Sequence, residues 1–248
     1  MTPDPHWLRP VGGRSGGPVL LCLPHAGAGA FAYAGWDRQD AFDVVAVQLP
    51  GREDRFAEQP ITDPEHLVRE IADALGEIAE QPLALFGHSL GALIAYDLAR
   101  ELDRRGAPDP LLLAVSGHVP PHRLDPDRAR DRSDAELVEH VRDLNDDPLD
   151  DVLADPEWRA MLLRPLRGDL ALHDAHTHRP GPRLRVPVLA LTGADDDATP
   201  AEDTAAWAEL TEGPFTHRVH PGGHFYLRAA RSAVLDDLAH HLEGAWRP

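Results

Sequence analysis

Residues 83–99 read Leu83-Ala84-Leu85-Phe86-Gly87-His88-Ser89-Leu90-Gly91-Ala92-Leu93-Ile94-Ala95-Tyr96-Asp97-Leu98-Ala99. An apolar run of strand length passes through Gly-x-Ser-x-Gly and continues as a run of good helix formers. That context gives the motif its meaning. A strand that turns sharply into a helix forces the central serine into a strained backbone conformation, and only small flanking residues allow so close an approach. The turn lifts the Ser89 hydroxyl to the carboxyl end of a sheet, beside a helix N-terminus. A serine hydroxyl is a weak nucleophile alone, so a base and an orienting acid must come from elsewhere in the chain.

Outward from this turn, apolar runs and helical stretches alternate. Strands are expected at Val19–Leu23, 42–49, 111–115, 186–191 and 215–219, besides the one before Ser89. A helix is expected to start at Asp63-Pro64, with Asp63 as its cap and Leu67, Ile71, Leu75 and Ile78 as its apolar stripe. Another closes the chain over 228–242. Alternation of this kind implies a mostly parallel, doubly wound sheet, which binds ligands outside the carboxyl ends of its strands. Residues 118–182 interrupt the pattern. They hold a capping-box pair, Ser133 and Glu136, a stripe of Leu137, Val138, Val141 and Leu144, and helix-like pieces at 156–164 and 166–176. A single domain spanning residues 1–248 is expected, with 118–182 inserted as a helical lid. An insertion packed at the periphery is the alternative reading.

The base is expected at His224, in Gly222-Gly223-His224-Phe225 after the last strand. With 15 histidines in the chain, position singles it out rather than residue type. The order serine, acid, histidine is that of an α/β-hydrolase. The acid falls in Gly193-Ala194-Asp195-Asp196-Asp197-Ala198-Thr199-Pro200. Asp196 is the choice, with Asp195 and Asp197 as solvated turn residues or helix caps. The end of the strand before the insertion, Ser116-Gly117-His118, offers no carboxylate. An oxyanion formed at a carbonyl needs preorganised N–H donors. The backbone of Leu90 should supply one and that of Ala26 the other, since Gly27 and Gly29 let the first loop run close to the serine.

The chain has 248 residues, 42% of them apolar, and a formal charge of −18. Such a field disfavours nucleic acid and anionic membranes. No apolar stretch reaches the roughly 20 residues of a membrane span. Met1 to Pro10 shows no secretory pattern, so a cytoplasmic location is expected. Cys22 is the sole cysteine and is expected to be a buried apolar residue, not a nucleophile. His173, His176 and His178 do not share one helical face, and no metal site is expected there. Arg123, Arg128, Arg130 and Arg132 make the start of the insertion locally basic, either as a solvated face or as a contact for an acidic partner.

Four segments together resemble the type II, editing thioesterases of polyketide and nonribosomal peptide biosynthesis. They are Leu23-Pro24-His25-Ala26-Gly27, Gln48-Leu49-Pro50-Gly51-Arg52-Glu53-Asp54-Arg55, Phe86-Gly87-His88-Ser89-Leu90-Gly91-Ala92 and Gly222-Gly223-His224-Phe225. Leu166-Arg167-Gly168-Asp169 in the insertion is similar too. The resemblance implies a serine thioesterase that removes acyl groups from the phosphopantetheine arm of acyl or peptidyl carrier proteins, works without a cofactor, and is a monomer. It carries over Ser89 as nucleophile, Asp196 as acid, His224 as base, and Ala26 and Leu90 as oxyanion donors. Two departures stand out: Gly27-Ala28-Gly29 where adjacent glycines are usual, and Leu90 where methionine is frequent, a volume-conserving change. An acyltransferase or a small-ester hydrolase could use the same three residues, and an inactive synthase-binding protein would be expected to have lost one of them.

Overall fold

The computed structural model describes residues 4–37, 41–124, 132–144 and 154–245. In chain order its elements are β1 (Leu8–Val11), β2 (Val19–Leu23), β3 (Asp43–Val47), α1 (Pro64–Leu75), β4 (Leu83–His88), α2 (Leu90–Arg105), β5 (Leu112–Ser116), α3 (Asp134–Leu144), α4 (Pro156–Ala175), β6 (Val188–Gly193), the short α5 (Ala201–Thr204), β7 (Phe215–His220) and α6 (Arg231–Ala245). The strands form one sheet in the order β1-β3-β2-β4-β5-β6-β7. Only β1 runs antiparallel to its neighbour, pairing Leu8 with Val47 and Pro10 with Val45. The sequence reading has no β1. Four residues carrying a proline give little strand signal, and proline is tolerated in a sheet at such an edge.

Side chains alternate across the central strands and feed two apolar layers. Leu21 and Leu23 face α1 and α2, with Leu67, Ile71, Leu75 and Leu98. Leu20 and Cys22 face the other way, with Tyr33, Trp36 and the α6 residues Val234, Leu235 and Leu238. Helices on both faces make the sheet doubly wound and leave its strand ends as the open edge.

Local signals act as read from the sequence. Asp63 accepts from the N–H groups of Glu65 (2.9 Å) and His66 (3.1 Å), and Pro64 occupies the first turn of α1. Ile78 is buried but belongs to a following 3₁₀ turn. Ser133 and Glu136 close their capping box: the Ser133 N–H donates to the Glu136 carboxylate (2.6 Å), and the Glu136 N–H to Ser133 Oγ (3.3 Å). Leu137 is buried and Val138 packs beside it, whereas the side chains of Val141 and Leu144 lie outside those described.

The insertion differs in one respect. The two pieces expected at 156–164 and 166–176 form one 20-residue helix, α4, that passes through Pro165. A proline inside a helix costs about 3 kcal/mol. Leu163, Leu166 and Leu170 on the same helix are buried together with Leu137 of α3, and each such burial is worth about 1.5–3 kcal/mol. Packing therefore outweighs the break that the local sequence suggests. The described residues of 118–182 contain no strand.

Candidate active site

Ser89 has φ 54° and ψ −124°, a left-handed conformation shared by only one other non-glycine among the described residues, Glu53. The turn is tight on both sides. A Cβ on Gly87 would sit 2.0 Å from the Gly91 carbonyl oxygen, and one on Gly91 would sit 2.2 Å from that of Leu23. The Ser89 N–H donates to the Ser116 carbonyl at 2.8 Å, which ties the turn to the end of β5. Helix α2 begins at the next residue, Leu90.

The acid and base meet at the same edge of the sheet. His224 Nδ1 lies 2.8 Å from Asp196 Oδ2, and both residues are buried. Asp196 Oδ2 also accepts from Thr199 Oγ1 (2.5 Å), while Oδ1 accepts from the Ala198 and Thr199 N–H groups at 3.1 and 3.3 Å. Burial works against the charged carboxylate. The hydrogen bonds and the neighbouring imidazole outweigh it, and its pKa is held below the ordinary value. Asp195 and Asp197 point into solvent. The two loops are clamped by backbone bonds, Ala194 N–H to His220 O (2.7 Å) and Asp195 N–H to Gly222 O (3.0 Å).

Gly117 links this pair to the serine turn. The carbonyl just before it holds the Ser89 N–H, and a Cβ on it would lie 3.5 Å from His224 Cε1. Among the described residues no hydrogen bond joins the Ser89 hydroxyl to His224, and such contacts commonly tighten only when substrate is bound.

The first loop, 24–30, runs past the turn. Its Gly27 N–H donates to Asp169 Oδ2 (2.7 Å), Ala28 N–H to His25 O (3.1 Å) and Ala30 N–H to Gln48 Oε1 (2.9 Å). Among the described residues, the N–H groups of Ala26 and Leu90 have no acceptor within the protein. They are the two that the sequence nominates for an oxyanion.

A histidine environment surrounds His224. His88 lies 5.1 Å away, centroid to centroid, and its Nδ1 is 2.9 Å from Ser116 Oγ, which in turn is 2.6 Å from the Tyr226 hydroxyl. Burial, then the neighbouring His224, His25 and His118, push the His88 pKa well below its usual range. Burial, His224 and Arg228 bring that of His25 to about 3. Both rings are neutral at pH 7, so neither opposes a positive charge on His224. Neither carries a role in the sequence reading beyond flanking the motif.

The remaining nominated residues are dispersed. His173 faces His118 at 3.3 Å, His176 Nε2 is 2.9 Å from Asp97, and the His178 ring packs on His122. Arg123 is exposed and paired with Glu209 at 2.5 Å, and Arg132 is held near α4 by its carbonyl, which accepts from Arg167. Arg128 and Arg130 lie outside the described residues. Cys22 is fully buried in β2, and burial raises its thiol pKa well above the usual value.

Sequence reasoning assigned nothing to one buried pair. Arg52 grips Asp169 with both guanidinium nitrogens, Nη1 to Oδ2 at 2.5 Å and Nη2 to Oδ1 at 2.9 Å, and its Nη1 also donates to the Ala28 carbonyl at 3.2 Å. The two residues lie 117 positions apart. The signal available was charge: a lone acid on the apolar side of α4 requires a buried partner.

A mostly parallel seven-stranded sheet with helices on both faces, a strained serine at the end of β4 and an Asp–His pair after β6 and β7 define an α/β-hydrolase fold. Residues 18–243 match the thioesterase domain family, and the chain belongs to it; it is a hydrolase. It is 36% identical over 227 residues to the thioesterase PikA5 of Streptomyces venezuelae, covering 90% of this chain and 80% of that one. It is 31% identical over 226 residues to the gramicidin S biosynthesis protein GrsT of Aneurinibacillus migulanus, covering 90% and 88%. The solved structure of the type II thioesterase BorB from the borrelidin biosynthetic cluster superposes with a TM-score of 0.87 at 38% identity, over 98% of this chain and 100% of that one. Among the described residues no helix is long and apolar enough to cross a membrane.

Proposed function

We propose that this protein is a type II thioesterase that hydrolyses acyl groups from the phosphopantetheine arm of acyl or peptidyl carrier proteins, clearing aberrant or stalled acyl chains from a polyketide or nonribosomal peptide synthase. The observation that carries the mechanism is the buried 2.8 Å bond between His224 and Asp196 at the strand ends beside Ser89. Asp196 fixes the tautomer, with the proton on Nδ1 and Nε2 free to act as base. Ser89 Oγ attacks the thioester carbonyl while His224 takes its proton. The oxyanion is held by the Ala26 and Leu90 N–H groups. His224 then protonates the departing thiol sulfur. Water enters, gives a proton to His224 and attacks the acyl-serine. Collapse of this second oxyanion releases the acid and returns the proton to Ser89. Every step closes on these groups, so no cofactor is assigned.

The relatives support the substrate. PikA5 is named a thioesterase, GrsT a gramicidin S biosynthesis protein, and BorB a type II thioesterase of a biosynthetic cluster. In this reading α3 and α4, within 118–182, form a lid over the serine, the protein acts as a cytoplasmic monomer, and Arg123, Arg128 and Arg130 offer a local docking patch. Such a patch is needed because a net charge of −18 repels an acidic carrier at long range. Arg123 is paired with Glu209, so a docking role for it requires that pair to open.

The test is to incubate the protein with a carrier bearing a short acyl-phosphopantetheine and to follow the intact mass of the carrier. Wild type should remove the acyl mass and Ser89→Ala should not. Transfer of the acyl group to an added amine or alcohol would favour an acyltransferase, and an untouched carrier beside rapid cleavage of a small oxygen ester would favour an esterase. In the same assay, Arg128→Glu with Arg130→Glu should slow carrier hydrolysis while sparing a small soluble thioester; equal loss on both removes the docking proposal.

A further inference from the structure

The Ala26 N–H can hold an oxyanion only if the loop that carries it is fixed. Loop 24–30 is short of backbone partners. Its next N–H, that of Gly27, is held by a side chain from a distant helix: Asp169 Oδ2 accepts it at 2.7 Å. The same oxygen accepts from Arg52 Nη1, and Arg52 Nη1 donates again to the Ala28 carbonyl. Gly27 and Ala28, immediately after Ala26, are thus each bound to a member of one ion pair. Arg52 is 4% exposed and Asp169 is 2% exposed, so neither charge has water as an alternative partner. Arg52 is itself placed by its Nε bond to the Pro50 carbonyl at 3.2 Å, and its own carbonyl accepts from Gln48 Nε2 at 3.0 Å. The helix that presents Asp169 lies close against the loop. A Cβ on Gly27 would meet Leu166 of α4 at 3.6 Å, and one on Gly168 would meet Pro60 at 2.3 Å.

We propose that Arg52 and Asp169 are positioning residues for the oxyanion hole, and that α4 is the element that holds the Ala26 donor in place. This rests on the assignment of Ala26 as a donor. A buried ion pair is seldom needed for stability, since well-packed apolar residues of similar size commonly replace one at no cost. What apolar replacements cannot supply is the acceptor for the Gly27 N–H. With that acceptor gone the loop keeps its place in the chain but loses the restraint on its donor, and donors a fraction of an ångström out of place lose most of their effect on a transition state.

The experiment uses three proteins: wild type, Asp169→Ala, and the double variant Arg52→Met with Asp169→Leu. Asp169→Ala removes the acceptor for the Gly27 N–H and leaves room for water beside Arg52. The double variant removes both charges together, leaving none buried alone. Folding is checked by near-ultraviolet circular dichroism and urea denaturation, and rates are measured per folded molecule. The primary readout is the second-order rate of labelling of Ser89 by a fluorophosphonate, in which Ser89 Oγ displaces fluoride and the phosphoryl oxygen takes the oxyanion position. The second is kcat and KM on a short acyl thioester of a small soluble thiol.

The expected result is labelling slower by on the order of tenfold to a hundredfold in both variants, with kcat falling and KM nearly unchanged, even where the double variant is as resistant to urea as wild type. A folded double variant that labels within about twofold of wild type would show a purely structural pair and overturn the proposal. If the double variant does not fold, Asp169→Ala decides by the same criterion. Failure of wild type itself to label would overturn the serine mechanism, and this inference with it.

Discussion

Helices α3 and α4 come from one inserted segment, yet they are attached to the protein in different ways. α4 is stitched to the body of the domain. Asp169 reaches Arg52 and the first loop, Arg164 donates to the Phe56 and Glu58 carbonyls at 2.5 and 3.0 Å, and Gly168 allows close contact with Pro60. α3 is attached to α4. Leu137 joins the small apolar cluster of Leu163, Leu166 and Leu170, Arg167 of α4 bonds Asp134, and Asp134, Ala135, Glu136 and Glu139 are exposed. The difference shows which part of the insertion can give way. Displacing α4 breaks a buried ion pair and frees loop 24–30, whereas among the described side chains displacing α3 exposes Leu137 and the partly buried Val138.

The largest effect belongs to neither helix but to the Asp196–His224 pair. Asp196→Asn should lower kcat by about 10⁴ through the wrong His224 tautomer, with the urea midpoint little changed. A loss below about tenfold would mean that another acid orients His224 and that the fixed site is drawn wrongly. The contrast between the helices comes next. Leu170→Ala should destabilise the whole domain by about 2–5 kcal/mol in urea, as for other buried leucines. Leu137→Ala should shift the global urea transition by less than about 1 kcal/mol while speeding proteolysis within 132–144, because α3 can open locally. Equal shifts from the two would erase the distinction.

A change of pH tests the seam between β5 and α4. His118 lies there at 3.3 Å from His173, and burial, followed by His173, lowers its pKa to about 3 from 6.5. Between these values the unfolded chain binds a proton that the native state refuses. Stability is therefore fully present above pH 6.5 and falls as the pH drops towards 3, by about 1.4 kcal/mol per pH unit for each such histidine. His25 is lowered to about 3 as well and should add to the slope. Urea melts at pH 7.5, 6 and 5 would show it, and His118→Gln should flatten it. A pH-independent curve would mean that these histidines take up protons in the folded protein as readily as in the unfolded chain.

Local chemistry explains which parts could be read from the sequence. The Ser89 turn, the Asp63 cap and the Ser133–Glu136 box each depend on a few neighbouring residues. Asp196 was set apart from Asp195 and Asp197 by position in the turn, and of the three it alone is buried. β1 was missed because four residues with Pro10 among them satisfy their backbone only through a distant partner, β3. α4 was divided at Pro165 because the propensity of one residue is visible locally and the apolar cluster opposing it is not. The Arg52–Asp169 pair was legible only by half, since an acid among apolar helix positions asks for a buried partner without saying which. Both segments were noticed, but nothing in either names the other.

The burial of Cys22 in β2 has a practical consequence. The chain holds no other cysteine and no lysine, and this thiol is both inaccessible and hard to ionise. The folded enzyme is chemically silent towards reagents that trap thiolates. A thiol released from a thioester can therefore be counted colorimetrically as it forms, with no background from the catalyst.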